Sequence, residues 1–224
     1  MTERALAFTT PHGRVSGVLV RPHAAWVVYV LAHGAGAGMR HPFLEAVARV
    51  LAERGVATVR YQFPYMERAS RRPDPASVAE AVVRAVVEEV QGTVDLPLLA
   101  GGKSFGGRMT SQAAAKAPLS AARGLVFLGF PLHAAGRAST TRAAHLRDVT
   151  VPMLFLQGTR DTLAEASLIR DVCRGLGEAT LREIEGADHS FKVLKRSGRT
   201  DAEVREELGD TMAEWAHAIV GRRP

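Results

Sequence analysis

Cysteine is nearly absent from this sequence, and its absence limits where the protein is expected to work. Cys173 is the single cysteine in 224 residues, so no internal disulfide can form. Chains without disulfides are typical of reducing compartments. The first residues, Met1 to Arg4, also lack the basic stretch and apolar run that mark a secretory signal. We therefore expect a cytoplasmic protein.

Long hydrophobic runs are missing as well. No apolar run approaches the ~18 residues that a membrane span requires, although 46% of the residues are hydrophobic. That content, with 23% charged residues, is typical of a globular protein. The length suits one domain, so the sequence predicts a single domain over residues 1–224 and no membrane partner.

Aromatic residues make up only 6% of the chain, which bears on its basic character. Lys and Arg number 29 against 23 Asp and Glu, and a formal charge of +6 is compatible with a nucleic-acid partner. Single-stranded nucleic acid, however, needs aromatic side chains between the basic ones. The arginines are scattered without such neighbours, at Arg68, Arg71, Arg72, Arg137, Arg142, Arg147, Arg196, Arg199, Arg222 and Arg223. We expect a solvated basic surface and no nucleic-acid partner.

Metal and cofactor motifs are also lacking. The histidines show neither H-x-H nor H-E-x-x-H spacing, which argues against a metal site. A glycine-rich loop does run from His33 to Gly38, but Met39 stands where the dinucleotide motif needs its last glycine. The sequence therefore predicts neither a metal nor a cofactor.

What the sequence does contain is an alternation of strand and helix patterns. Two β-rich runs, 4–9 and 14–20, predict an N-terminal antiparallel hairpin. From residue 26 onward, apolar strands alternate with helical stripes such as the one at 42–55. This alternation predicts a three-layer α/β fold with a mostly parallel sheet, in which ligands bind at the carboxyl ends of the strands.

Two segments carry further local predictions. The stretch 131–150 is short and polar, so we expect no lid domain there. The stretch Ser77-Val78-Ala79-Glu80 matches a capping box, which predicts a helix beginning at that point.

Residues 98–108 contain the clearest chemical motif. An apolar strand stops at two glycines, and Gly102-Lys103-Ser104-Phe105-Gly106 then matches G-x-S-x-G before a helical pattern begins. Such a turn presents the serine Oγ at the end of a sheet. The alternative is a glycine-rich turn in which Ser104 is an incidental helix N-cap. Lys103 and Arg108 flank this serine, and either structural ion pairs or recognition of an anion would account for them.

Two further polar residues follow later strands. Asp161 comes after the strand near 152–157, and His189 comes after the strand near 180–184. A serine nucleophile needs a base and an orienting acid, and the order Ser, Asp, His is typical of a hydrolase with an α/β sheet. Taken alone, Asp161 could instead cap a helix near Leu163, and His189 could be a surface residue. We expect Asp188 to be poorly placed to act as the acid, because neighbouring side chains in an extended turn point apart.

Several stretches together resemble the α/β-hydrolase family over nearly the whole chain. They are His33–Met39, Tyr61–Tyr65, Gly101–Arg108, Gly129–Leu132, Gln157–Asp161 and Gly186–Phe191. The resemblance is closest to a lidless branch that includes dienelactone-hydrolase-like proteins and the relatives of testis-expressed protein 30 and of non-specific-lethal complex subunit 3. It implies an α/β-hydrolase fold without a lid domain.

The resemblance also implies roles for individual residues. Ser104 would be the nucleophile, His189 the base and Asp161 the orienting acid, and the backbone N–H groups of Ala35 and Phe105 would form the oxyanion hole. Dienelactone hydrolases proper carry cysteine as the nucleophile, so Ser104 favours ester, thioester or amide chemistry. The expected substrate is a small or medium ester-type molecule.

A second hypothesis comes from the same family, because some relatives serve as subunits of complexes. The chain would then be a non-catalytic binding module or assembly subunit with this fold. Loss of a triad residue would favour that hypothesis, and none is lost. His33 is expected to shape the oxyanion loop rather than to transfer protons.

Overall fold

A computed structural model describes residues 1–70 and 72–221 of the chain. Arg71, Arg222 and Arg223, which the sequence assigns to the basic surface, lie outside the described residues. The strands are β1 (Thr2–Thr10), β2 (Gly13–Arg21), β3 (Val27–Ala32), β4 (Val56–Tyr61), β5 (Leu98–Lys103), β6 (Ala122–Leu128), β7 (Met153–Gly158) and β8 (Ala179–Ile184). The α-helices are α1 (Pro42–Glu53), α2 (Pro64–Glu67), α3 (Ala76–Thr93), α4 (Phe105–Lys116), α5 (Ala166–Arg174) and α6 (Asp201–Val220).

All eight strands join one sheet, in the order β1-β2-β4-β3-β5-β6-β7-β8. β1 pairs antiparallel with β2, and β2 pairs antiparallel with β4. Every other neighbouring pair is parallel. The predicted fold class is therefore confirmed: an N-terminal antiparallel hairpin precedes a mostly parallel sheet. The strand order reverses at β3, so the loops after β3 and β5 meet at the point where such sheets bind ligands.

Apolar side chains project from both faces of β3, and helices therefore cover the sheet on each side. Val28 and Val30 pack into the core that includes α3 and α4. Tyr29 and Leu31 pack into a second core with α1 and α6. Each such fully buried side chain contributes about 1.5–3 kcal/mol, and together the two cores make a rigid three-layer base for the loops.

The predicted capping box at Ser77–Glu80 is wrong. Helix α3 begins at Ala76 with Pro75 as its N-cap, and no side chain caps it. Pro75 has an extended ψ of 149° and the helical residues begin at Ala76, so Ser77 lies inside the first turn and cannot be the N-cap. Glu80 instead forms an ion pair with Lys116 of α4.

A lid domain is absent from the described chain, as predicted. Between β6 and β7 the chain forms only loops and one 3-10 helix, Thr141–Asp148. The other 3-10 helix, Lys195–Ser197, lies just before α6. Within residues 1–70 and 72–221, no helix combines the length and the apolar character needed to cross a membrane.

Candidate active site

Ser104 is the single residue between β5 and α4, and its backbone is strained. Its φ of 50° and ψ of −113° lie where non-glycine residues are rare, at a cost of about 1–3 kcal/mol. The side chain makes no capping hydrogen bond. Its Oγ instead lies 2.9 Å from Nε2 of His189. Ser104 therefore occupies the N-cap position of α4, as the alternative interpretation held, but its hydroxyl faces His189 instead of capping the helix.

Two glycines allow this turn to lie against the end of β3. A Cβ on Gly102 would come within 2.4 Å of the carbonyl oxygen of Ala32, and one on Gly106 within 2.6 Å of that of His33. Real Cβ atoms do not approach backbone oxygens so closely. The glycines thus bring Ser104 and the first turn of α4 next to the loop that follows β3.

His189 and Asp161 meet across the ends of β7 and β8. Nδ1 of His189 donates a hydrogen bond of 2.7 Å to Oδ2 of Asp161, and Nε2 faces Ser104. The Asp161 side chain is 0% exposed, whereas that of His189 is 23% exposed. The structure therefore brings the three predicted residues into one hydrogen-bonded path, with the acid buried and the imidazole reaching the surface.

Gln157 is a member of this path that sequence reasoning missed. Its Nε2 donates to Oδ2 of Asp161 at 2.6 Å, and its Oε1 accepts the N–H of Phe130 at 2.9 Å. Oδ1 of Asp161 accepts the N–H of Leu163 at 2.8 Å, so this aspartate also caps the local turn as its alternative interpretation held. The available signal was that Gln157 is the single polar side chain in the buried strand β7.

Two hydrogen bonds tie the loops after β7 and β8 together. Oγ1 of Thr159 accepts the N–H of Gly186 at 2.9 Å, and the N–H of Arg160 donates to the carbonyl of Ala187 at 2.9 Å. These bonds fix the distance between the turn that carries Asp161 and the turn that carries His189.

Asp188 has a different task from Asp161. Its Oδ1 accepts the backbone N–H groups of Ser190 at 2.8 Å and of Lys192 at 3.0 Å. It therefore stabilises the loop that carries His189, while the imidazole bonds to Asp161.

His33 organises the loop after β3. Its Nδ1 donates to the carbonyl oxygen of Gly34 at 2.7 Å, and its Nε2 accepts the N–H of Phe63 at 3.1 Å. Burial lowers the pKa of His33 to about 4, so the ring is neutral and its tautomer is set by these two bonds. The hydroxyl of Tyr65 accepts the N–H of Gly36 at 2.9 Å and holds the next part of the loop. These contacts agree with a shaping role.

Two backbone donors beside Ser104 are left free. Within residues 1–70 and 72–221, the N–H groups of Ala35 and Phe105 have no hydrogen-bond acceptor. Gly34 lies against the serine, since a Cβ on it would be 3.9 Å from Cβ of Ser104. Phe105 opens α4, where the helix dipole adds partial positive charge. Free donors in this position suit a developing oxyanion.

A cavity of about 220 Å³ opens at Ser104. Phe43 stacks on Phe191 at one wall, with ring centroids 5.5 Å apart and planes 5° from parallel. No residue between β6 and β7 lines the cavity. The lining residues are Gly34, Ala35, Ala37, His41, Phe43, Leu44, Lys103, Ser104, His189 and Ser190.

Lys103 brings an ammonium group into the same cavity. Its Nζ lies 3.3 Å from Nε2 of His189 and 5.5 Å from the ring centroid of Phe191. Burial lowers the pKa of Lys103 to about 8, while the charges of Asp161 and Asp188 act in the opposite direction.

A second serine–histidine contact lies along the same helix. Oγ of Ser111, which is fully buried, lies 2.8 Å from Nε2 of His145. The hydroxyl also donates to the carbonyl oxygen of Arg108 at 2.9 Å. A hydroxyl has one proton, so with that bond made Oγ accepts from Nε2–H of His145. Burial, and then the charge of Arg108, lower the pKa of His145.

Candidate metal ligands are not grouped in this site. In the part of the chain that the structure describes, no cluster of three or more His, Cys, Asp or Glu side chains could hold a metal ion.

Comparison with known proteins identifies the family to which this chain belongs. A family model for the alpha/beta hydrolase domain matches residues 25–217. The chain belongs to this family.

Solved structures show the same fold at low sequence identity. XC6422 from Xanthomonas campestris, an α/β serine hydrolase without a lid, is 24% identical with a TM-score of 0.75, over 96% of this chain and 95% of that one. Dienelactone hydrolase from Anabaena variabilis is 20% identical with a TM-score of 0.76, over 97% and 98%. Est1E from Butyrivibrio proteoclasticus with bound ferulic acid is 14% identical with a TM-score of 0.75, over 97% and 100%. The relation to testis-expressed protein 30 and to non-specific-lethal complex subunit 3 stays a prediction.

Proposed function

We propose that this protein is a serine hydrolase that cleaves small or medium esters through an acyl-enzyme intermediate. Ser104 is the nucleophile, His189 the general base and Asp161 the orienting acid. The observation that carries the proposal is the continuous path from Ser104 Oγ to His189 at 2.9 Å and from His189 to Asp161 at 2.7 Å. It begins at a serine held at positive φ.

The chemistry follows from the proton positions along this path. Because Nδ1–H of His189 donates to Asp161, Nε2 carries the lone pair that accepts the hydroxyl proton of Ser104. The Oγ forms a bond to the ester carbonyl carbon, and the carbonyl oxygen becomes an oxyanion. Protonated His189 then gives its proton to the leaving alcohol, which departs as the carbonyl re-forms. A water molecule, deprotonated by the same imidazole, hydrolyses the acyl-enzyme.

The backbone donors of Ala35 and Phe105 stabilise the oxyanion in this scheme. Removing one such donor from a known hydrolase lowers kcat by about 10²–10³. The contacts of His33 and Tyr65 fix the loop that carries Ala35, so this donor needs no reorganisation during the reaction. We propose these two donors because they are free and flank the nucleophile.

Substrate size is proposed from the cavity. Sites for drug-sized ligands have volumes of about 300–1,000 Å³, whereas this cavity has about 220 Å³. A short acyl group fits that space, and no lid extends it. The likeness to a lidless serine hydrolase and to a dienelactone hydrolase supports an ester-type bond as the target. The proposal treats residues 1–224 as one domain, because the described strands form a single sheet.

A fluorophosphonate probe tests the proposal directly, because it labels only an activated serine. The folded protein should be labelled, Ser104→Ala should not be, and Ser111→Ala should be labelled like the parent. A series of 4-nitrophenyl esters should show the highest kcat/KM for short and medium acyl chains. An unlabelled, folded parent would instead favour a non-catalytic binding module with this fold.

A further inference from the structure

Lys103 is the charged group of the cavity that the proposed mechanism does not use. Within residues 1–70 and 72–221 its ammonium forms no ion pair with a carboxylate, and its polar contact is His189 Nε2 at 3.3 Å. Lys116, by contrast, forms a direct ion pair with Glu80. The sequence left structural ion pairing open for Lys103, and the structure offers it no such partner.

The residues that line the cavity do not balance the charge of Lys103. Lys103 shares the cavity with His41 and His189, and none of its lining residues is a carboxylate. The nearest acids act from outside: Asp161 is occupied by His189, Gln157 and Leu163, and Asp188 by backbone N–H groups. A partly buried ammonium without a counter-ion is costly, and a bound anion would supply the missing partner.

The position of the ammonium also matters during the reaction. At rest, the ammonium of Lys103 lies 3.3 Å from His189 Nε2, farther than the hydroxyl of Ser104 at 2.9 Å, and shares the same lone pair with it. Once His189 takes the proton of Ser104, Nε2 becomes a donor, and two cations face each other at close range. That repulsion opposes the very step that the triad performs. An anion bound at Lys103 would offset it in the transition state.

We propose that Lys103 and the adjoining cavity form a subsite for a carboxylate that the substrate carries a few bonds from its scissile carbonyl. The preferred substrates are then hemiesters of short dicarboxylic acids or esters of similar charge. This inference rests on the proposed hydrolase function, which it narrows. The ring of Phe191, 5.5 Å from Nζ, stabilises the ammonium through a cation–π contact, and an ammonium with one donor toward His189 has two N–H donors left for a ligand.

A matched pair of esters tests the subsite, with hydrolysis followed in a pH-stat. Monoethyl glutarate and ethyl pentanoate have acyl chains of equal length and differ in one terminal carboxylate. The protein should prefer monoethyl glutarate, and Lys103→Met should lower the ratio of the two kcat/KM values by about tenfold to a hundredfold. Part of this fall in the ratio should appear in kcat, because the repulsion between Lys103 and protonated His189 acts in the transition state. Lys192→Met, an exposed lysine beside Phe191 that does not line the cavity, should leave the ratio unchanged.

A pH series gives the same test without any substitution. Because the pKa of Lys103 is lowered to about 8, the ammonium is present below that pH and is lost above it. The preference for monoethyl glutarate should therefore decline as the pH rises through 8. The groups that face Lys103 are His189, Asp161 and Asp188, with His41 across the cavity. Taking the ratio of two esters at each pH cancels the titration of the shared base.

Binding of glutarate to the Ser104→Ala protein, followed by NMR, separates this inference from the proposed function. Glutarate should bind, and Lys103→Met should abolish binding while Lys192→Met should not. One outcome would overturn the subsite and keep the hydrolase: ethyl pentanoate is hydrolysed only when Ser104 is present, but Lys103→Met leaves the ratio of the two esters unchanged. Glutarate binding that depends on Lys103 without hydrolysis of either ester would overturn the hydrolase and keep the anion site.

Discussion

Two serine–histidine contacts lie seven residues apart in this molecule, and they differ in almost everything except length. Ser104 and His189 are 2.9 Å apart, and Ser111 and His145 are 2.8 Å apart. Ser104 stands before helix α4 at positive φ, whereas Ser111 lies inside the helix and donates its proton to the carbonyl of Arg108. A short distance between a hydroxyl and an imidazole therefore does not by itself define a nucleophile.

The third partner also distinguishes the two pairs. His189 has Asp161 behind it at 2.7 Å, which fixes the tautomer that leaves Nε2 free to accept. Within the described residues, His145 has no carboxylate hydrogen-bonded to its other nitrogen, and Asp148 acts on it only through its charge. The comparison indicates that the proton donor and acceptor roles are set by what lies beyond each pair.

Replacing the two serines should give the largest contrast. Ser104→Ala should lower kcat for an activated ester by about 10⁶, as removal of a triad member does in a known hydrolase. Ser111→Ala should instead leave kcat within the same order of magnitude and cost about 1 kcal/mol of unfolding free energy, through a lost buried hydrogen bond. Steady-state kinetics and chemical denaturation of both variants measure this. The reverse pattern would make Ser111 the nucleophile.

The two acids should give the next contrast. Asp161→Asn should lower kcat by about 10⁴, because the imidazole loses the partner that fixes its tautomer and stabilises its charge. Asp148→Asn is the matched control at the second pair and should leave kcat unchanged. Both are measured with the same ester at saturating concentration. A mild effect of Asp161→Asn would remove the orienting acid from the proposed mechanism.

His33 is a third histidine to compare with His189 and His145. Its ring is buried, and both of its nitrogens are hydrogen-bonded. His33→Asn should loosen the loop that carries Ala35 and lower kcat by about tenfold to a hundredfold. The pKa of His33 is about 4 in the folded protein and 6.5 in the unfolded chain. Its contribution to stability is thus complete above pH 6.5 and lost as the pH falls through 4.

That contribution can be measured by denaturation at several pH values. In the parent, His33 should account for a fall of about 3 kcal/mol in unfolding free energy between pH 6.5 and pH 4, since the unfolded chain takes up a proton that the buried ring refuses. In His33→Asn this part of the fall should vanish. An unchanged profile would show that His33 titrates normally.

Asp188 should give the smallest effect, although it is adjacent to His189. Asp188→Asn keeps an oxygen that can accept the N–H groups of Ser190 and Lys192, so kcat should fall by less than about tenfold. Asp188→Ala removes that acceptor and should also lower the melting temperature. A loss with Asp188→Asn as large as with Asp161→Asn would make Asp188 the acid partner of His189.

The sequence predicted what depends on order and periodicity. Alternating apolar runs identified the sheet and its N-terminal hairpin, and Ser104, Asp161 and His189, which follow β5, β7 and β8, were each placed at the carboxyl end of a strand and so at one edge. The catalytic roles of these residues stay predictions until they are tested by kinetics. They lie at one edge because the strands that precede them run parallel; an antiparallel strand would have carried its residue to the opposite edge.

What the sequence did not reveal depends on contacts between distant side chains. Gln157 is one polar residue in an apolar strand, and only the packing of β7 beside β6 shows that it bridges Phe130 and Asp161. Capping was misassigned at α3: Ser77 and Glu80 have the right spacing, but Pro75 already occupies the N-cap position. A capping box does form at the start of α6, where Thr200 and Glu203 have the same spacing and Thr200 is itself the N-cap.

The carboxamide of Gln157 gives the whole path a direction. The backbone N–H of Phe130 can only donate, so it holds Oε1 of Gln157 toward itself and turns the NH₂ group toward Asp161. Oδ2 of Asp161 is thereby committed to accepting, the Nδ1 proton of His189 is kept on the ring, and Nε2 is left to accept from Ser104. The donor and acceptor roles of four side chains, those of Gln157, Asp161, His189 and Ser104, are thus set by one backbone N–H that follows β6.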